Sequence, residues 1–400
     1  QFSLTLNTEG QVVFVCGAET VMSSNAVSLR RWQRVEAQIT KLGQISISLG
    51  SLDGSDTFEP TLKQLNRELD LSQNASVVIA GQLNGDAIIN CFNGKIEQPE
   101  IYVGSNSLAS WDFSRNMSSM TVPGIGCPNL KLINAPTRAV TGALWDASEM
   151  NWQHKPEHYA SIAFHEDDIY DFNWEPDFSF VIPPNMPSGI YIMRISCGDD
   201  YDAMPFFVCP EKDKPQAKVC VLVSTFTYVI YGNHARPDYD DTWLEKIADW
   251  NAYPHNPAQF QNYGLSTYNN HSDGSGVCHA SHKRPLFNLR PGYLTFGQAK
   301  CSGLRHFQAD SHLISWLHAK GIEYDIITDE ELHTEGVSAI QSYKAVLTGS
   351  HPEYHTNETL EALTQYRDQG GALHYLGGNG FYWRIARHSE QESLLEIRRA

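Results

Sequence analysis

Residues 344–356 read KAVLTGSHPEYHT: an apolar run ends at Thr348, and His351, Pro352, Glu353, Tyr354 and His355 follow within a few positions. Similar short apolar runs recur in the C-terminal half, as KVCVLVST (218–225), YDIIT (324–328) and ALHYLGG (372–378). Unbroken apolar strands of this kind suit a sheet covered on both faces. Helical patterns separate them. SHLISWLHAKG (311–321) places Leu313, Ile314, Trp316 and Leu317 on one face and stops at Gly321. A second helix is expected from Asn357, burying Leu360 and Leu363 and ending at Gly370-Gly371. Strand and helix in alternation predict a mostly parallel sheet over 216–400. Ligands of such sheets sit beyond the carboxyl ends of the strands. Three ends qualify: VLTGSHPEYHT, ALHYLGGNGF and VSTFTYVIYGNH.

The N-terminal half reads differently. Over 1–105, FSLTLN, QVVFVCG, RVEAQIT, ISISLG and SVVIAGQ alternate or run apolar between turn signals, as strands of a β-sandwich do. LRRWQRVEAQI (29–39) and INCFNGKIEQPEIY (89–102) resemble segments of the laminin-G/concanavalin-like jelly roll. No sugar or calcium site stands out there, so a spacer or interface role is expected. The β pattern continues over 106–215, where SFVIPPNMPSGIYIMRIS predicts a hairpin across its Pro/Ser/Gly turn. The acidic tract FHEDDIYDFNWEPD (164–177) reads as a solvated edge rather than a metal site. EKDKPQAK (211–218) is a charged linker into the α/β region.

Composition bounds the function. The 400 residues are 41% hydrophobic and 19% charged, a globular balance sufficient for two or three domains. A net charge of −17 (46 acidic against 29 basic residues) argues against nucleic acid and anionic lipid as partners. No apolar run is long enough for a membrane span. The eight cysteines show no C-x-x-C pair, which points to reduced thiols in a cytoplasmic setting. The sequons at Asn74, Asn116, Asn270 and Asn357 then carry no meaning. The start QFSLTLNTEG and the end LEIRRA lead us to expect a piece of a longer chain, truncated within the α/β region.

The strand ends supply candidate chemistry. If the backbone stays extended past Pro352, His351 and Glu353 project to the same side, imidazole beside carboxylate. Alone, this pair is more often a satisfied histidine next to a helix-capping acid. Asn379 lies among the glycines of LGGNG, where backbone and ligand can approach closely. Tyr228 and Tyr231 fall in TFTYVIYGNH, and Tyr268 falls in the polar loop LSTYNNHSDGSGVCHAS. A rival centre is GVCHA (276–280), close to the G-x-C-x-G elbow of glutaminases, with Cys278 as nucleophile. A second rival is a non-catalytic carbohydrate- or partner-binding protein.

TFTYVIYGNHARPDY, LSTYNNHSDGSGVCHASHKRP, LTGSHPEYHT and YLGGNGFYWR, in this order after a laminin-G-like module, resemble the large catalytic subunit of the N,N-dimethylformamidases. The resemblance implies a glutaminase-like α/β domain bearing a mononuclear Fe(III) site of two tyrosinates and one carboxylate. It implies hydrolysis of a small N-substituted amide such as N,N-dimethylformamide. Carried over, Glu353 is the carboxylate ligand, His351 the neighbouring histidine and Asn379 the nearby asparagine. Tyr231 is taken as the first tyrosinate, with Tyr228 its rival, and Tyr268 as the second. His279 departs from the family pattern, which has an aromatic after the cysteine. A small subunit and further large subunits are the implied partners. Phenolate and carboxylate oxygens are hard donors suited to Fe(III), whose Lewis acidity would favour attack on a tertiary amide.

Overall fold

The computed structural model describes residues 2–65, 76–85, 87–212, 214–298 and 300–399. The chain divides into two compact units, residues 1–91 with 139–161, and residues 92–138 with 162–400. The break at 91 falls near the sequence boundary at 105, whereas the return of 139–161 to the first unit has no signal in the hydrophobic pattern.

In the first unit, Phe2–Leu6, Gln11–Cys16 and Glu19–Ala26 form an antiparallel sheet, and Gln33–Ile39, Gln44–Ser51 and Thr61–Gln64 form another. Alternation explains both: every second residue of QVVFVC and QISISLGS is buried. Val12, Phe14, Val21, Ile45, Ile47 and Leu49 from the two sheets share one core. SVVIAGQ, expected as a strand, is irregular until the short strand Gln82–Asn84. Its run holds Ala80 at positive φ, which interrupts an extended backbone.

In the second unit the expected hairpin is shifted along the chain. Gly189–Cys197 pairs with Asp200–Val208 in nine-residue register, turning at Gly198, rather than with the segment before Gly189. Pro183, Pro184 and Pro187 withhold the amide donors a preceding strand would need.

The elements that frame the candidate site follow in order: β1 (Val219–Val223), α1 (Thr225–Ile230), α2 (Phe307–Ala319), β2 (Tyr324–Thr328), α3 (Asp329–Glu335), β3 (Ala345–Thr348), α4 (Asn357–Asp368) and β4 (Ala372–His374). The strands form one parallel sheet in the order β2-β1-β3-β4, as the alternation predicts. Strand side chains alternate between two cores. Cys220 and Leu222 pack with Leu332, Leu363 and Tyr366 on one face. Val221 and Val223 pack with Phe307 and Leu317 on the other. At about 25 cal/mol per Å² of apolar area, this double-sided burial is the main force holding the sheet.

Two details depart from the sequence reading. Trp316 is 51% exposed, so the inward face of α2 is carried by Leu317 with help from Leu313 and Ile314. TFTYVI continues not as strand but as the helix α1, started by Asp329, whose carboxylate accepts the Phe226 amide at 2.9 Å. Among the described residues no helix is long and apolar enough to cross a membrane.

Candidate active site

The segment after β3 is shaped by a close approach. A Cβ on Gly349 would lie 2.6 Å from Asp310 Oδ2, so glycine is required where the chain passes that carboxylate. The tip then folds more tightly than an extended strand: the Glu353 amide donates to the His351 carbonyl at 2.9 Å, a three-residue turn. This turn, rather than strand pleating, brings the two side chains together, with His351 Nε2 2.8 Å from Glu353 Oε2. Glu353 is 2% exposed.

Tyr231 follows α1 as its C-cap, its amide bonded to Thr227 O at 3.0 Å. Its hydroxyl donates to Glu353 Oε2 at 2.7 Å. Tyr268 comes from a loop held down by side chains: Ser266 and Thr267 hydroxyls donate to Ile230 O, and Asn269 exchanges bonds with Ala235. The Tyr268 hydroxyl donates to that of Tyr231 at 2.6 Å, and the two rings stack with centroids 4.1 Å apart. Distances of this order join Tyr268, Tyr231, Glu353 and His351 into one continuous polar chain.

Tyr228 does not join it. Three residues earlier, it turns away and donates to Asp310, buried among Phe307 and its neighbours. Asn379 is exposed at φ 51°, and among the described residues no hydrogen bond links it to the group. Cys278 donates to Gly276 O at 3.5 Å and, among the described residues, has no histidine partner; burial raises its pKa, which disfavours the thiolate. His279 faces Glu396 at 3.8 Å instead of the tyrosines.

The sequence reading missed several members. Tyr354, the residue after Glu353, bonds the Tyr268 hydroxyl with its own. Arg399 donates to Tyr354 Oη at 2.9 Å and lies 4.4 Å over the Tyr268 ring. Arg305 lies 4.4 Å over the Tyr231 ring and reaches its hydroxyl at 3.2 Å. His306 packs 4.3 Å from Tyr231, with its Nε2 buried and, among the described residues, without a hydrogen-bond partner. The pairs Arg305-His306 and Glu353-Tyr354 were the only local signals, since polar residues rarely adjoin a buried run without a partner.

Burial dominates the electrostatics. It raises the pKa of Tyr231, an effect to which the bond to Glu353 adds, and it raises those of Tyr268 and Tyr354. It lowers that of His234, beside Tyr268, to about 4 and depresses that of His306 well below its ordinary value, Arg305 adding to the latter. The phenols are therefore held neutral by the protein alone, and His234 and His306 are neutral bases. Such a set is electron-rich: three phenol oxygens, one carboxylate and an orphaned imidazole nitrogen, with two guanidinium groups behind the rings.

Residues 137–400 match the family model described as "N,N-dimethylformamidase beta subunit-like, C-terminal". The chain belongs to this family. It is 32% identical, over an alignment spanning 443 positions, to the N,N-dimethylformamidase beta subunit of Paracoccus aminophilus, covering 98% of this chain and 58% of that protein. It is 35% identical over 378 residues to the beta subunit of Alcaligenes sp., covering 87% of this chain and 49% of that protein. The chain thus spans about half the length of these relatives. Tyr231, Tyr268, Glu353, His351 and Asn379 all fall within the family match.

Proposed function

We propose that this chain is the catalytic large subunit of an iron-dependent amidohydrolase that cleaves a small N-substituted amide, N,N-dimethylformamide being the leading substrate, to formate and dimethylamine. The carrying observation is the polar chain from Tyr268 Oη through Tyr231 Oη (2.6 Å) to Glu353 Oε2 (2.7 Å). The residues fit a ferric ion: Tyr231, Tyr268 and Glu353 offer three hard oxygens at hydrogen-bond spacing. Once ionised they carry three negative charges, matching a trivalent cation. The orphaned Nε2 of His306 borders the same group. When bound, the ion would supply Lewis acidity toward an amide oxygen or a water molecule.

The protein's own residues account for the rest. Arg305 and Arg399 over the rings stabilise phenolate charge that burial otherwise disfavours. His351, bonded to Glu353, is positioned to take a proton from attacking water and return it to the departing amine. Asn379 enters as donor to the developing oxyanion through the resemblance alone, and it would have to turn inward to serve. The reading also includes a laminin-G/concanavalin-like sandwich at 1–105, in keeping with two antiparallel sheets on one core, and a glutaminase-like domain at 216–400, in keeping with the parallel sheet. A small subunit, further large subunits and a cytoplasmic setting complete it.

The test is iron content measured together with hydrolysis of a panel of small formamides and acetamides. Stoichiometric iron with a tyrosinate-to-iron absorption band and formamide turnover is expected. Turnover without iron, or iron without turnover on any amide, would defeat the proposal.

A further inference from the structure

A separate cluster lies in the same unit, where the acidic tract meets the loop that carries Tyr268. His165 and His271 stack with ring centroids 3.7 Å apart and an interplanar angle of 3°. The side chains of both are 3% exposed, and that of Asp168 is 12% exposed. Among the described residues, ligand atoms of His165, Asp168 and His271 lie within 4.8 Å of one another.

The hydrogen bonds fix which ring nitrogens face inward. Ser275 Oγ donates its single proton to Asp273 Oδ1 at 2.6 Å, so at 2.9 Å it can only accept from His165 Nε2. A neutral His165 therefore carries its proton on Nε2 and leaves a lone pair on Nδ1. That Nδ1 is buried without a hydrogen-bond partner, 3.5 Å from Asp168 Oδ2. His271 Nδ1 lies 2.6 Å from Asp167 Oδ1, an acceptor, so its proton is there and its Nε2 lone pair points toward Asp168 Oδ1 at 3.9 Å. With both rings neutral, two imidazole lone pairs and a carboxylate face one shared space. Their repulsion is relieved by a proton on His165, whose pKa Asp168 raises against the downward push of burial, or by a bound cation.

We infer that His165 Nδ1, His271 Nε2 and the Asp168 carboxylate form a second metal site, distinct from the tyrosine centre, for a borderline divalent cation of the Zn²⁺ type. Two imidazoles and a carboxylate, with a fourth position left to water, are a donor set Zn²⁺ accepts. Each imidazole presents its remaining N–H to a fixed acceptor, the outer-shell arrangement that orients metal-bound histidines. Charge agrees. Asp167, Asp168 and Asp273 contribute three negative charges and Lys95, which interacts with Asp273, one positive, leaving two to neutralise. Bonds of about 2.1 Å in a tetrahedron require ligand atoms roughly 3.4 Å apart, and because the in-plane lone pairs of parallel stacked rings do not meet, one imidazole must rotate out of the stack on binding. The site would pin the segment at 165–168 to the loop three residues beyond Tyr268.

The test is equilibrium dialysis of the metal-stripped full chain against Zn²⁺ alone. One tightly bound equivalent is expected in the wild type and in Glu353→Ala, whose tyrosine centre is disabled. His165→Ala, His271→Ala and the near-isosteric Asp168→Asn should each bind Zn²⁺ at least 10-fold more weakly, with circular dichroism reporting whether each remains folded. Because Asp168→Asn keeps the shape of the side chain, it preserves the test if a histidine variant unfolds. Absence of a tight equivalent in the wild type would overturn the inference, since a proton would then hold the cluster. So would Zn²⁺ binding unchanged in Asp168→Asn. Loss of Zn²⁺ in Glu353→Ala alone would assign the ion to the tyrosine centre instead.

Discussion

Tyr231→Phe and Tyr228→Phe delete the same atom from two buried side chains three residues apart. Each lost hydroxyl donates to a buried carboxylate, Glu353 in one case and Asp310 in the other. A hydrogen bond to a charged group contributes about 1.5–3 kcal/mol, so each variant should lose roughly 2 kcal/mol of metal-free stability. Tyr231→Phe should sit at the upper end, because it also removes the oxygen to which Tyr268 and Arg305 donate. Stability therefore should not distinguish the pair, but metal binding should. Tyr231→Phe removes a proposed ligand, and iron affinity should fall by more than the ~10–100-fold typical of an outer partner. Tyr228→Phe should keep its iron, its tyrosinate colour and most of its turnover. Urea unfolding of metal-free protein, iron content and visible absorption on both variants make the comparison. If Tyr228→Phe loses iron while Tyr231→Phe keeps it, the assignment of ligands is reversed and the reasoning from this geometry fails.

Other outcomes follow from the same contacts. Arg305→Met removes a guanidinium over Tyr231, worth about 1–2 kcal/mol when desolvated, so iron should bind about 10-fold more weakly with a shifted tyrosinate band. An unchanged band would make Arg305 a packing residue only. Glu396 is held down to about 2 from 4.5, since bonds to His279 and Arg398 outweigh the upward push of burial. Its contribution, at most ~3 kcal/mol, is complete above pH 4.5 and disappears as pH falls toward 2. Glu396→Gln should therefore flatten the fall in urea midpoint between pH 5 and pH 3, and equal slopes would contradict this. Asp329, whose pKa burial raises well above the carboxylate range, caps the Phe226 amide. Asp329→Asn should cost under about 1 kcal/mol, whereas Asp329→Ala, leaving that amide bare, should cost about 2 kcal/mol in the same unfolding assay.

The parallel sheet was legible because KVCVLVST, YDIIT and KAVLTGS are apolar without alternation, a pattern few other structures tolerate. The pairing of His351 with Glu353 was legible for an incomplete reason: proximity comes from the turn at the tip, whose backbone bond no side-chain pattern announces. Tyr231 over Tyr228 could not be read from composition, because a shift of three residues changes which carboxylate a tyrosine meets. Arg305 and Arg399 were illegible, as each reaches the tyrosines from distant sequence and looks like any surface cation until the chain is folded. The acidic tract was read as solvated because its partner, His271, lies about a hundred residues away.

The bare α-carbon at Gly349 makes the β3 tip and Asp310 a single moving part. Asp310 holds Tyr228 on one side and the Ser350 amide on the other, so a methyl group at 349 would shove that carboxylate and drag the next turn with it. Gly349→Ala should therefore swing the imidazole of His351 off its carboxylate neighbour and dull turnover while leaving every oxygen donor chemically intact.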